Sequence, residues 1–184
     1  MERIADRLME QVRQLGADHT ALVDIDRIPF DAGLRKACEL NYCGGYGKNW
    51  MCPPHAGEVN ELISQAKRYN AGIVFQKVYA VEDSFDIEGM TEAMQHFRGM
   101  TNEIASLAKG ELSSLLVLSA GQCCNCARCA VLDDLPCVDV ENAYSSLECY
   151  GMHVSDLARI CGMKYINGEN TVTYFGILLT KDAL

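Results

Sequence analysis

Ala71-Gly72-Ile73-Val74-Phe75-Gln76-Lys77-Val78-Tyr79-Ala80 is the stretch on which the fold turns. Its β-branched and aromatic residues, with turn-prone Asn70 before them, predict a central strand. Val59, Leu62, Ile63 and Ala66 stand at helical spacing just upstream. Downstream, Met90, Met94, Phe97, Thr101, Ile104 and Ala108 trace one apolar stripe of a longer helix over 88–108.

Farther out, Ile4, Leu8, Val12 and Leu15 predict an amphipathic helix over residues 1–15, with Glu2, Arg3, Asp6, Arg7 and Glu10 on its polar face. Thr20 to Ile25 reads as a first strand, Asp31 to Leu40 as a short helix, and Ser114 to Ser119 as a buried strand. Val154 to Cys161 reads as a helix and Thr171 to Leu179 as a last strand. About four strands interleaved with helices predict an α+β or α/β sandwich, a single domain over 1–184. Two cysteine-rich loops, at 38–55 and 121–151, are inserted between its elements, and the second hangs from a sheet edge.

The ten cysteines in 184 residues, about 5%, fall below the level of small secreted disulfide scaffolds. Charges interrupt the N-terminal stretch from Met1 to Arg7, and no apolar run is long enough for a membrane span, so the expectation is a cytoplasmic protein that avoids membranes. Clustered cysteines in such a chain point to metal ligation. The net charge of -9 would repel a phosphate backbone, which argues against nucleic acid and suits a basic redox partner protein.

Cys123-x2-Cys126-x2-Cys129 sets three thiols on a tight turn, each able to reach a different iron of one 4Fe-4S cluster. Cys137, after seven intervening residues and preceded by Pro136, is the candidate fourth ligand. Its gap is longer than in ferredoxins, where the distant cysteine serves a second cluster. Cys124 is expected to point away as a bystander. The competing reading is a zinc ribbon, although zinc would leave the third closely spaced cysteine idle.

Cys38-x4-Cys43-x8-Cys52-Pro53-Pro54-His55 offers three thiols and an imidazole. That set suits zinc as Cys3His, or a second cluster with one open iron able to activate a small molecule. A third arrangement has Cys52 complete the cluster begun by Cys123, Cys126 and Cys129; a fourth leaves the three as free buried thiols. Trp50, Tyr42 and Tyr46 are expected to shield this loop from water, and Lys48 to contact an anion or stay solvated. Cys149 and Cys161 read as core residues, and Glu148 as a cap or solvated group. No Gly-x-Gly-x-x-Gly after a strand, Walker lysine or Gly-x-Ser-x-Gly elbow supports nucleotide binding or serine hydrolysis.

Three segments together resemble the DUF2284 family of metal-binding proteins of anaerobic bacteria and archaea. These are Tyr46 to Pro54, Gly121 to Cys129 with Pro136-Cys137, and Ser145 to Met152. The family often has proline near the position of Cys43, where Gly44 and Gly45 follow it here. The resemblance implies a cysteine-rich iron-sulfur protein of anaerobic metabolism and names no reaction. Three functions are therefore expected in competition: an electron-transfer or accessory protein for a redox enzyme, an enzyme with an open-iron cluster, and a zinc-stabilised interaction module.

Overall fold

The computed structural model describes residues 3–184; Glu2, expected on the first helix, lies outside the described residues. The elements run α1 (Ile4–Gln14), β1 (His19–Asp24), α2 (Arg35–Glu39), α3 (Val59–Ala66), β2 (Ala71–Ala80), α4 (Ile87–Glu111), β3 (Leu116–Leu118), α5 (Val154–Ile160) and β4 (Thr171–Thr180). One four-stranded sheet has the order β1-β2-β4-β3, and every pairing is antiparallel. The architecture is therefore α+β, with β2 central as its composition predicts.

Both faces of the sheet are covered, which is why β2 and β4 carry nearly unbroken apolar runs. Side chains alternate across a strand. Ile73 and Phe75 of β2 and Leu178 of β4 thus join Leu8 and Val12 of α1 and Phe97 and Ile104 of α4. On the other face Val74, Ile177 and Leu179 meet Leu62 of α3, Leu157 of α5 and the segment carrying Leu147, Cys149 and Met152. Among the described residues, no helix is long and apolar enough to cross a membrane.

Two expected elements are shorter than their sequences suggest. Only Leu116–Leu118 pairs as a strand, because Ser114 instead bonds the Lys181 amide and Ser119 makes a parallel bridge to Ser146. The segment expected as one helix over 31–40 begins as a tighter 3-10 turn, Ala32–Leu34, capped by the Asp31 carboxylate accepting from the Gly33 amide at 2.7 Å. The consequence matters for the site. β3 is an edge strand; the 121–129 loop continues from its end, and the 145–152 segment is tied there by Ser119 accepting from Leu147 N at 3.2 Å and donating from its own amide to Ser145 O at 2.9 Å.

Phe75 lies opposite Gly176 in the β2–β4 register, and its ring occupies the space a side chain there would need: a Cβ on Gly176 would stand 2.1 Å from Phe75 Cζ. The ring cannot retreat, because it stacks on Phe97 with centroids 5.7 Å apart. Gly176→Ala is therefore expected to cost about 1–3 kcal/mol by overpacking, read as a lower urea midpoint with unchanged m-value.

Candidate metal centre

The first loop is a series of turns held by its own polar groups. The Asn41 carbonyl accepts from Gly44 N at 3.0 Å, its side-chain oxygen accepts from Tyr46 N at 2.9 Å, and Gly47 N donates to Pro53 O at 2.8 Å. Asn49, 5% exposed, joins this loop to the second: its side-chain amide donates to Cys123 O at 2.7 Å while its oxygen accepts from Met51 N at 2.9 Å. Gly45 lies where the loops touch. A Cβ there would stand 3.0 Å from Cys52 Sγ and 2.9 Å from Gln122 Oε1, so the glycine following Cys43 answers to a close approach.

The second loop leaves β3 and turns around Asn125, whose side-chain amide donates to Asp139 Oδ2 at 3.0 Å and Asn142 O at 2.7 Å. Cys123, Cys126, Cys129 and Cys137 all line one cavity of about 680 Å³. The Cys126 thiol has its pKa raised by partial desolvation and then by the neighbouring Cys123, Cys137 and Cys129. The structure thus places around one cavity the four cysteines that spacing singled out. Cys124 borders the same cavity, with its thiol donating to Gln122 O at 3.4 Å.

Arg98 of α4, 4% exposed, holds the loop from beneath. Its guanidinium donates to Gln122 O at 2.8 Å, Tyr144 O at 3.3 Å and Ala120 O at 3.4 Å. Cys123, Cys124 and Cys52 are the sulfur groups within its electrostatic reach. Arg98 escaped sequence reading because it stands beside Phe97 in a helix with many surface charges. The one available signal was its position on the border of the apolar stripe.

Cys38 and Cys43 of the first group lie within electrostatic reach of Cys52. Burial and then, in order, Cys149, Cys43, Cys38 and Cys123 push the Cys52 pKa up from 9.0 to about 12. Cys52 is absent from the walls of the 680 Å³ cavity and lies within electrostatic reach of Cys149, which, at 2% exposed, is the core residue expected of it. Burial likewise raises the Cys149 thiol to about 11, with Arg35 opposing. Glu148 sits beside these thiols, half-buried, with its carboxyl pushed up, first by desolvation, so it is not the freely solvated group that is one of its two expected roles.

The aromatic residues divide. Trp50 donates from Nε1 to Leu135 O at 3.0 Å and lines the 680 Å³ cavity, so it does cover the loops. Tyr42 is 88% exposed and shields nothing, because its loop turns outward after α2. Tyr46 is half-buried and Lys48 is exposed at the cavity wall. His55 packs edge-on against Trp50, centroids 5.4 Å apart, and lines a second cavity of about 420 Å³ with Cys137.

DUF2284, described as a predicted metal-binding protein, matches residues 21–180 of this chain. The chain belongs to that family. No curated protein matches it. A solved structure of epoxyqueuosine reductase from Bacillus subtilis is similar at 10% identity and a TM-score of 0.45, over 97% of this chain and 45% of the other. The DUF2284 chain therefore spans less than half the length of that enzyme.

For a DUF2284 protein the donor set is the informative feature: soft thiols in two groups, each with an arginine nearby. Asn49→Ala removes the donor to Cys123 O and the acceptor for Met51 N, and is expected to cost about 1–3 kcal/mol in the metal-free protein, measured by urea unfolding. The raised thiols also set a pH dependence. Below about pH 9 Cys52 is protonated whether the chain is folded or not, so its contribution to stability is fully present. Between 9.0 and about 12 only the unfolded chain gives up the proton, and stability is lost as pH rises. The metal-free melting temperature should therefore fall across that window, and fall less in Cys52→Ala.

Proposed function

We propose that this DUF2284 protein holds a 4Fe-4S cluster on Cys123, Cys126, Cys129 and Cys137 and serves a redox enzyme system as an electron-transfer protein. The observation that carries this reading is the placing of those four thiols around one cavity of about 680 Å³. A structural zinc ion needs its four sulfurs about 2.3 Å from a single point. Among the described residues, no group of three or more Cys, His, Asp or Glu side chains is set to hold a single metal ion. Thiols that surround a volume suit a polynuclear cluster better.

A bound cluster would supply one-electron chemistry at a potential set by its hydrogen bonds, nearby charge and exposure. The chain's own residues act on each of those. Arg98 places a buried positive charge behind Cys123, which favours the more negative, reduced state. Trp50 screens one wall, while exposed Leu132 and Val138 at the rim are open to a partner protein. Reduced thiols in such numbers fit the cytoplasm, and their partial exposure to oxygen fits anaerobic metabolism.

Anaerobic purification with iron, sulfide and zinc analysis, and EPR of the dithionite-reduced protein, tests this reading. A Cys126→Ala/Cys129→Ala variant should lose about four iron and four sulfide per chain relative to the wild type, with the matching EPR signal. Stoichiometric zinc without sulfide in the wild type would overturn it.

A further inference from the structure

α2, which carries Cys38, packs against the 3-10 turn Glu148–Tyr150, which carries Cys149. The contact is pinned on either side. Asp31 N donates to Gly151 O at 2.7 Å, His153 N donates to Pro29 O at 2.9 Å, and Phe30 and Met152 form an antiparallel bridge. Within this frame Cys149 N donates to Ser146 Oγ at 3.1 Å, which orients the turn. Cys43 follows α2 on the outward loop, and Cys52 arrives from the far end of that loop after Met51, whose Sδ accepts from Ser145 Oγ at 4.0 Å; Cys149, Cys43 and Cys38 lie within electrostatic reach of Cys52.

A second observation points to a ligand among these thiols. Arg35, at the start of α2, lies within electrostatic reach of both Cys38 and Cys149. One of its terminal nitrogens donates to Gly57 O at 3.0 Å, but its buried Nε has no hydrogen-bond partner. Arg98 shows the same pattern on the other site, with a buried and unpartnered Nε. A buried donor without an acceptor is costly, and anionic sulfur beside each would satisfy it.

We propose that Cys38, Cys43, Cys52 and Cys149 form a second four-thiolate site that holds its own iron-sulfur cluster and exchanges electrons with the first. Cys149 takes the fourth position, so no iron is left open. The exchange rests on the reading of Cys123, Cys126, Cys129 and Cys137 as a cluster site; the second ligand set stands on its own residues. A short path joins the two sites: Cys123 O accepts from the Asn49 side chain at 2.7 Å, and Asn49 O accepts from Cys52 N at 3.1 Å. Passage of one electron between the sites breaks no bond and moves no proton. The first electron comes from an external one-electron donor, dithionite in the test.

The test compares anaerobically purified wild type with Cys38→Ala/Cys149→Ala, Cys43→Ala and Cys126→Ala/Cys129→Ala, with circular dichroism to verify folding. Wild type should hold about eight iron and eight sulfide, and each double variant about half. Reduced wild type should show spin-coupled broadening in EPR that vanishes in both double variants. Cys43 is exposed in a loop, so Cys43→Ala reports even if the buried double variant misfolds. It should lower the iron or yield a three-iron signal in the oxidised protein. Full wild-type iron and an unchanged spectrum in Cys43→Ala, or zinc in place of iron at this site, would overturn the proposal. Iron lost from Cys38→Ala/Cys149→Ala but not from Cys126→Ala/Cys129→Ala would instead overturn the first-site reading and leave this one standing.

Discussion

The buried guanidinium of Arg98 is the constraint around which the metal-binding half of the molecule is arranged. A charge taken out of water must be compensated. Its hydrogen bonds go to three backbone carbonyls, from Ala120, Gln122 and Tyr144, and the thiols of Cys123 and Cys52 lie within its field. Those carbonyls belong to the segment that leaves β3 and to the later one that returns beside Ser119, so one side chain tethers both. Arg98 can do this because α4 is anchored by Phe97, Thr101 and Ile104, all fully buried.

The same physics explains why two flexible-looking loops can be organised with little regular structure. The first loop supplies turns through its own asparagines and glycines, and the second through Asn125; Asn49 and Gly45 then bring the two into contact. Each link is a hydrogen bond or close approach between polar or backbone groups, which leaves the thiols free to face the spaces between them. Thiol desolvation opposes ionisation in the metal-free protein. Metal uptake therefore has to displace protons, and folding and loading are coupled through the same cysteines.

Much of the fold was legible in advance because β2, β4 and α4 carry periodic apolar patterns that only a two-sided burial satisfies. The misjudged boundaries lie where side chains compete with the backbone. The Ser114 hydroxyl takes the Lys181 amide and Asp31 caps a 3-10 turn where periodicity alone suggests an α-helix, while the Ser119 backbone pairs with another segment. Tyr42 failed as a shield because composition says nothing of the direction in which a turn points.

For the site, the division follows the range of the interactions. That Cys123, Cys126 and Cys129 share one tight turn is determined by sequence alone, since local spacing places them there; that Cys137 joins them around one cavity is a tertiary result. Cys149, Arg98 and Arg35 were decided only by tertiary structure. Cys149 comes beside the Cys38 helix because a turn docks on α2, and Arg98 reaches the second loop because α4 packs on the sheet. No spacing rule encodes contacts between residues that distant in the chain; they exist because burying the apolar faces of a helix and a sheet brings their borders together.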